Sequence, residues 1–162
     1  MNERDTVNAW LKGLWSPEAE FTLNEAGACA MSIDDVTACF IEVPEGEGRI
    51  RFFSPIAPLP EPDDDDERFR LYTAAMEMNM PGGASAGGAI AIDEALDALT
   101  LRLDRSLQDM DGVSFANILG GVVSTVRSLR RELYGSDGTE EVSGNRKHQG
   151  NIPGLQPNWI QA

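Results

Sequence analysis

The pattern of hydrophobic and polar positions first predicts a short helix near the N-terminus. The apolar residues of one helical face follow the spacing i, i+3, i+4 and i+7: Val7, Trp10, Leu11 and Leu14. Asp5 or Thr6 is expected to cap this helix. Ser16-Pro17 is expected to end it, because proline disfavours helical backbone in the residue before it.

The pattern then changes to an alternation of apolar and polar residues, which is typical of half-buried strands. Antiparallel strands joined by tight turns are predicted near Glu20–Leu23, Ala28–Ile33, Thr37–Val43 and Arg49–Phe53. If Asp34-Asp35 is a two-residue turn, Cys29 lies opposite Phe40 and Cys39 lies opposite Ala30. The two thiols then point to opposite faces of the sheet and cannot form a disulfide within one subunit.

A proline-rich loop, Pro55–Pro62, separates these strands from a second helix over about Glu67–Met80. The acidic run Asp63–Glu67 is expected to face the positive N-terminal end of that helix. A calcium loop is a weaker interpretation, since the run lacks the glycine and the distal bidentate glutamate of an EF-hand. The helix carries a wide apolar surface, which predicts burial on two sides or against a second subunit. This surface comprises Phe69, Tyr72, Met76 and Met80, with Leu71, Ala75 and Met78 beside them.

A second hairpin and a third helix complete the pattern. The hairpin strands are predicted at Ala89–Ile92 and Ala98–Arg105, with Leu99, Leu101 and Leu103 directed inward. Ser114 is the expected N-cap of the third helix, which runs to about Leu133, and Gly135 its C-cap. The apolar stripe of this helix consists of Phe115, Leu119, Val122, Val126, Leu129 and Leu133.

The glycine pair Gly120-Gly121 inside the third helix costs about 2 kcal/mol relative to alanines. Close packing of another element over that point is one expected compensation. The elements together predict an α+β domain over residues 1–134, in which a twisted antiparallel sheet and three helices follow the order α-β-β-β(-β)-α-β-β-α. Residues 135–162 are polar and are expected to form a flexible tail, whose few apolar residues could dock on the domain.

Composition and charge narrow the classes of partner. The chain has 162 residues and a net charge of −14, which repels nucleic-acid phosphate and anionic membranes. Neither nucleic-acid binding nor membrane insertion is therefore expected. Mimicry of DNA is a weaker interpretation than a solubilising surface. The N-terminal residues lack the features of a signal peptide and no apolar run approaches a spanning length, so a cytosolic protein is expected.

Candidate catalytic chemistry is sparse. Gly83-Ala84-Ser85-Ala86-Gly87 matches the G-x-S-x-G pattern of a hydrolase nucleophile, but a helix precedes it and a strand follows it, which is the reverse of the usual order. The single histidine, His148, lies in the predicted tail, where it could not be held as a general base. One histidine and two separated cysteines also argue against zinc. No enzyme activity, metal or cofactor is expected.

Several motifs, taken in order over about residues 7–133, resemble the class I type III secretion chaperones, or Tir-chaperone family. The stretches that carry the resemblance are Leu11-Lys12-Gly13-Leu14, Phe21-Thr22-Leu23-Asn24-Glu25-Ala26-Gly27-Ala28-Cys29, Ile33-Asp34-Asp35, Ile41-Glu42, the helix-ending Asn79, Ala89-Ile90-Ala91-Ile92-Asp93 and Phe115. Three features depart from the family pattern: the leucine-poor Ala74–Met78, the Gly120-Gly121 pair and the longer tail.

The resemblance implies a homodimeric chaperone of the bacterial cytoplasm, without catalysis. Such a protein binds the non-globular N-terminal segment of one or more secreted effectors, keeps it secretion-competent and targets it to the export apparatus, whose ATPase is a candidate partner. The alternative is a regulatory adaptor of the same fold that binds a non-secreted protein. The residues predicted to bind the effector are Val7, Trp10, Leu11, Leu14, Cys29, Met31, Ile33 and Phe40. The residues predicted at the dimer interface are Phe69, Tyr72, Met76, Leu99, Leu101 and Leu103.

Overall fold

A computed structural model describes residues 2–14, 21–35 and 37–135 as three helices and a five-stranded antiparallel sheet. Along the chain the elements are α1 (Glu3–Lys12), β1 (Ala28–Ser32), β2 (Ala38–Glu42), β3 (Arg49–Pro58), α2 (Asp65–Met78), β4 (Ala89–Asp93), β5 (Ala98–Ser106) and α3 (Gly112–Tyr134). The predicted α+β class and order of elements are confirmed. The predicted tail begins at Gly135, and the rest of it lies outside the described residues.

The strands are ordered β1-β2-β3-β5-β4, so β3 is at the centre of the sheet. Helix α3 packs mainly over β3, and α1 lies beside α3. The ring of Phe115 on α3 lies 5.9 Å from that of Phe52 on β3. All six residues of the predicted apolar stripe of α3 are buried. The core therefore lies between this helix layer and one face of the sheet.

Two helices begin earlier than their predicted caps. Asn2 caps α1, where its side chain accepts a hydrogen bond from the N–H of Asp5, and neither Asp5 nor Thr6 is the cap. Asp111 caps α3 by accepting from the N–H of Ser114 at 2.7 Å, so the predicted Ser114 cap is wrong. Short polar side chains have similar capping chemistry, and the apolar pattern alone does not choose among neighbouring ones.

The acidic run before α2 lies where it was expected. Asp64 caps the helix by accepting from the N–H of Glu67 at 3.0 Å, and three further carboxylates occupy the first turn. The helix starts and ends two residues earlier than predicted. The carboxylates of the acidic run face the positive end of the helix dipole. This favourable interaction explains the acidic run without a calcium site.

The register of the first hairpin differs by one residue from the prediction. The N–H of Ile33 donates to the carbonyl of Thr37 at 2.8 Å, so the turn holds three residues instead of two. Cys29 therefore pairs with Ile41, and Cys39 moves to the same face of the sheet as Cys29. A shift of one residue exchanges the faces of a strand. The prediction that the two thiols lie on opposite faces is wrong.

The predicted strand at Glu20–Leu23 is not part of the sheet over residues 21–23, and Glu20 lies outside the described residues. Leu23 is nonetheless buried. Its N–H donates to the side-chain oxygen of Asn8 on α1 at 2.8 Å. A helix side chain thus satisfies the main-chain group that a neighbouring strand would otherwise bind.

Strand β3 continues to Pro58, whereas a loop was predicted from Pro55. Pro55 lies beyond Phe53, the last residue of β3 that pairs with β2, and next to a bulge, where a proline is tolerated. Arg130 of α3 donates to the carbonyls of Pro55 at 2.9 Å and of Ile56 at 3.0 Å. These hydrogen bonds satisfy two main-chain carbonyls of β3 that lie beyond its pairing with β2.

Candidate functional site: apolar surfaces on the helices and the sheet

The residues predicted to bind an effector divide into a buried and a partly exposed group. The buried ones are Val7, Leu11, Leu14, Cys29 and Met31. The partly exposed ones are Trp10, Ile33 and Phe40. Val7 and Leu11 have no exposed surface, so a partner cannot reach them while the fold is intact. The buried group acts as core that supports the partly exposed group.

Trp10 joins α1 to α3 and keeps part of its ring at the surface. Its ring lies 5.5 Å from the ring of Phe115. A Cβ at Gly112, the first residue of α3, would lie 3.1 Å from Cδ1 of Trp10. The absence of a side chain at Gly112 therefore makes room for the indole. The apolar pattern gave no signal for this glycine, because its partner lies far away in the sequence.

A second apolar surface lies on the face of the sheet opposite α3. Phe40 on β2 and Phe53 on β3 pair across the strands, and their rings stack with centroids 5.2 Å apart. The guanidinium of Arg102 lies 5.8 Å from the centre of the Phe53 ring and binds Asp93 at 2.6 Å. Stacked rings with a cation over one face hold a defined shape. Sequence analysis missed Phe53, although its alternation with the buried Phe52 placed it outward.

The hairpin register separates residues that were predicted to form one face. Phe40 lies opposite Ala30, and both point away from the core. Cys29 and Met31 lie on the core face, and Ile33, the residue after β1, also packs against the core. The structure therefore places Phe40 on one face of the sheet and Ile33 on the other.

The two buried thiols are poor nucleophiles. Burial raises the pKa of Cys29 to about 11 and that of Cys39 to about 12. Because the thiolate is the reactive form, both side chains act as small core residues at neutral pH.

The residues predicted at a dimer interface also divide into two groups. Phe69 and Met76 are 75% and 73% exposed on one side of α2, and Tyr72 between them is half-buried. The three leucines of β5 instead face the core, where Leu99 and Leu101 are almost fully buried. Two further large apolar residues outside the predicted set are exposed: Met80, just after α2, and Ile92 on β4.

The residues considered for catalysis or metal binding are not arranged for either. Ser85 is buried in the turn after α2, whereas a nucleophile elbow exposes its serine. His148 lies outside the described residues. Over the described parts of the chain, no cluster of three or more His, Cys, Asp or Glu is placed to hold a metal ion. None of the helices within those parts is long and apolar enough to cross a membrane.

Solved structures share this fold at low sequence identity. The chain is similar to one in the "Crystal Structure of the ExsC-ExsE Complex", with a TM-score of 0.63 and 14% identity, over 82% of this chain and 97% of that chain. It is similar to one in the HopA1-SchA chaperone-effector complex, with a TM-score of 0.56 and 15% identity, over 78% and 91%. It is also similar to one in the Yersinia pestis complex of the type III secretion chaperone SycH with a stable fragment of YscM2, with a TM-score of 0.54 and 19% identity, over 79% and 99%.

No curated protein matches the chain significantly in sequence. A sequence profile of the family described as "Tir chaperone protein (CesT) family" does match, over residues 18–130. The match spans β1 through most of α3 and includes all five strands of the sheet. The chain therefore belongs to the Tir chaperone protein (CesT) family.

Proposed function

We propose that this protein is a class I type III secretion chaperone that binds the non-globular N-terminal segment of one or more secreted effectors in the bacterial cytoplasm. The observation that carries the proposal is the family match over residues 18–130. Solved structures of the same fold include a chaperone-effector complex and a type III secretion chaperone with a bound protein fragment, which supports the same function here. Delivery of the segment to the export apparatus, with its ATPase as receiver, is part of the proposal.

The partner would contact the partly exposed residues of the predicted set, Trp10, Ile33 and Phe40, together with Phe53. The aromatic members of this set are held in place by ring contacts: Trp10 packs on Phe115, and Phe40 stacks on Phe53. Fixed aromatic side chains bind with little loss of conformational entropy. The protein would act by binding, without catalysis, metal or cofactor.

The same proposal includes a homodimer formed through α2. One side of the helix exposes Phe69, Met76 and, just beyond its end, Met80. Asn79 attaches the end of α2 to Ile90 on the edge strand β4, which is also the strand that carries the exposed Ile92. Large exposed apolar side chains grouped on one side of a helix are typical of subunit interfaces. The buried leucines of β5 would support the interface without contacting the second subunit.

Purification of the tagged full-length chain from its native organism, followed by mass spectrometry of bound proteins, tests the function. We expect a secreted protein whose N-terminal fragment alone is sufficient for binding. Recovery of only a non-secreted regulator would overturn the proposal in favour of the regulatory adaptor.

A further inference from the structure

A groove runs along one side of α3. It has a volume of about 460 Å³ and is lined by Ile33, Gly120, Val123, Ser124, Arg127, Ser128 and Arg131. The lining residues from α3 are spaced three and four positions apart, so they share one side of the helix. From Gly120 to Arg131 this side is about 16 Å long, at about 1.5 Å per residue. The groove therefore leads towards the end of α3, where residues 136–162 follow.

Gly120 leaves one end of the groove open. A Cβ at this position would have no described atom within 4 Å. A glycine inside a helix is less favourable than an alanine, and none of the described residues packs closely enough to require one here. Beside it, Val123 is buried and Ile33 is half-buried. A further segment packed over Gly120 would cover this apolar end and explain the missing side chain.

The other end of the groove is positively charged, although the net charge of the chain is −14. The lining contains two arginines and no carboxylate. Arg127 binds Asp34 at 2.6 Å. Arg131 is exposed and forms no ion pair with any described residue. From the end of α3, the groove therefore presents first a cation and then an apolar surface.

The segment that follows α3 has a complementary order of side chains. Residues 136–142 contain three carboxylates and no basic residue, and their last member is Val142. Two of the carboxylates, Glu140 and Glu141, directly precede that valine. Opposite charges attract, and apolar surfaces associate as they exclude water. Away from the helix, the segment thus offers carboxylates and then an apolar side chain, in the same order as the cation and the apolar surface of the groove.

The length of this segment allows it to fold back over the groove. Helix α3 ends at Tyr134, and Gly135 has a φ of 77°, a left-handed conformation that is typical of the residue after a helix. Arg131 lies about 6 Å before Gly135 along the helix axis, and Gly120 lies about 22 Å before it. An extended chain covers about 3.3 Å per residue, so residues 140–142 extend up to about 17–23 Å from Gly135. The two glutamates can therefore reach Arg131, and the valine can reach the apolar end.

We infer that residues 136–142 fold back along α3 and occupy this groove, with the Glu140-Glu141 pair at Arg131 and Val142 at the apolar end. The short connection keeps the segment at a high effective concentration beside the groove, so contacts that are weak between separate molecules can hold it there. Ile33 lines the same groove and belongs to the residues proposed to contact a partner. The segment therefore acts as an internal competitor that a partner has to displace. This inference concerns the chain alone and goes beyond the proposed function.

Paramagnetic broadening of amide NMR signals tests this placement in the full-length chain. Ser143→Cys introduces a thiol for a nitroxide label directly after the segment. Cys29 and Cys39 are buried, and burial raises their pKa values to about 11 and about 12, so they stay unlabelled at neutral pH. We expect loss of the amide signals of Gly120 and Ser124, and their return when the nitroxide is reduced.

Two variants of the labelled chain, each with a matched control, test the contacts. Arg131→Glu should restore the signal of Ser124, whereas Arg49→Glu, an equal change at an exposed arginine of β3 outside the groove, should not. Gly120→Leu fills the groove and should also restore it. Gly121→Leu makes the same change at the neighbouring exposed glycine, which does not line the groove, and should leave the signal lost. The dispersion of each amide spectrum reports whether the variant is folded.

Exchange of the charges distinguishes an ion pair from a general effect of substitution. Glu140→Arg together with Glu141→Arg should restore the signal of Ser124. Addition of Arg131→Glu to this double variant should remove the signal again, because the opposite charges then face each other in exchanged positions.

A mixed sample separates contact within one chain from contact between copies. It contains isotope-labelled chain without nitroxide and nitroxide-labelled chain without isotope, and the signals of Gly120 and Ser124 should remain. Their loss in this sample would show that the segment binds a second copy and would overturn the inference. Full signals in the nitroxide-labelled chain would also overturn it, as would a loss that persists in both Arg131→Glu and Gly120→Leu. None of these measurements includes a partner, so a failure here leaves the proposed function untouched.

Discussion

The side-chain amide of Asn79 forms two hydrogen bonds with the main chain of Ile90. Its nitrogen donates to the carbonyl at 2.9 Å, and its oxygen accepts from the N–H at 2.8 Å. The main-chain N–H of Asn79 also donates to the carbonyl of Ala75 at 3.2 Å, at the end of α2. One residue therefore ends a helix and covers part of the edge of β4. This gives a physical reason for an asparagine at the end of the second helix.

Replacement of Asn79 by alanine should lower the free energy of unfolding by about 1–3 kcal/mol, because the partner groups of Ile90 lose their protein hydrogen bonds. Urea unfolding followed by circular dichroism measures the change. Glu77→Ala is the control, since the side chain of Glu77 is exposed on the same helix and forms no hydrogen bond with any described residue. Its effect should stay within about 0.5 kcal/mol. An Asn79→Ala chain as stable as wild type would contradict the structural role of the amide.

Thr100 on β5 is fully buried, and its hydroxyl has no hydrogen-bond partner among the described residues. Thr100→Val removes this hydroxyl with little change in shape and should raise the free energy of unfolding by about 1 kcal/mol. The matched control is Thr37→Val. Thr37 is equally buried, but its hydroxyl accepts a hydrogen bond from Arg130 at 3.4 Å. Thermal unfolding should show opposite signs for the two variants, and destabilisation by both would contradict the assignment.

Long apolar patterns made much of the fold predictable. The apolar stripe of α3 repeats over several helical turns, and the inward leucines of β5 recur at every second residue. An error at one position therefore does not change the predicted element or its buried face. The continuation of β3 past Pro55 was not predictable in this way. It is stabilised by Arg130, which follows Pro55 by 75 residues. Local propensity favours a loop at that proline, and a distant contact makes it a strand.

The binding surfaces were less predictable than the fold, because exposure depends on single-residue details. The one-residue change in the turn after Ile33 moved Phe40 away from the face of Cys29. On α2, the pattern found the apolar side that contains Phe69 but could not separate it from the side that packs into the core through Leu71. A wide apolar surface on a helix indicates two contacts without showing which one is internal.

Stability should fall on acidification partly through Asp111, the N-cap of α3. Hydrogen bonds from Ser114 hold the pKa of this carboxyl below its usual range. The folded state therefore favours the carboxylate, and its contribution is present above the unfolded pKa of about 4 and is lost as the pH falls through the lower folded pKa. Asp111→Asn keeps an acceptor for the cap but does not titrate.

Melting temperatures of wild type and Asp111→Asn between about pH 6 and pH 2 measure this contribution. Wild type should be the more stable protein at the upper end, and the difference should shrink as Asp111 is protonated. Glu67 adds to the acid sensitivity of both proteins, since its hydrogen bond with Arg70 lowers the pKa of Glu67. Two curves that stay parallel over the whole range would show that the charge of Asp111 does not stabilise the helix.

Met76→Asp should convert the proposed homodimer into a monomer. Met76 is 73% exposed in the single chain and lies between Phe69 and Met80 on the apolar side of α2. A symmetric interface buries each residue twice, so the substitution loses about 1.5–3 kcal/mol of apolar burial per copy and also places two charges in the contact.

Val113→Asp is the matched control, because Val113 is 69% exposed in the first turn of α3, away from this surface, where an aspartate is favoured. Light scattering at about 10 µM protein should give a dimer for wild type and Val113→Asp and a monomer for Met76→Asp. A monomeric wild type, or a dimeric Met76→Asp, would refute the interface.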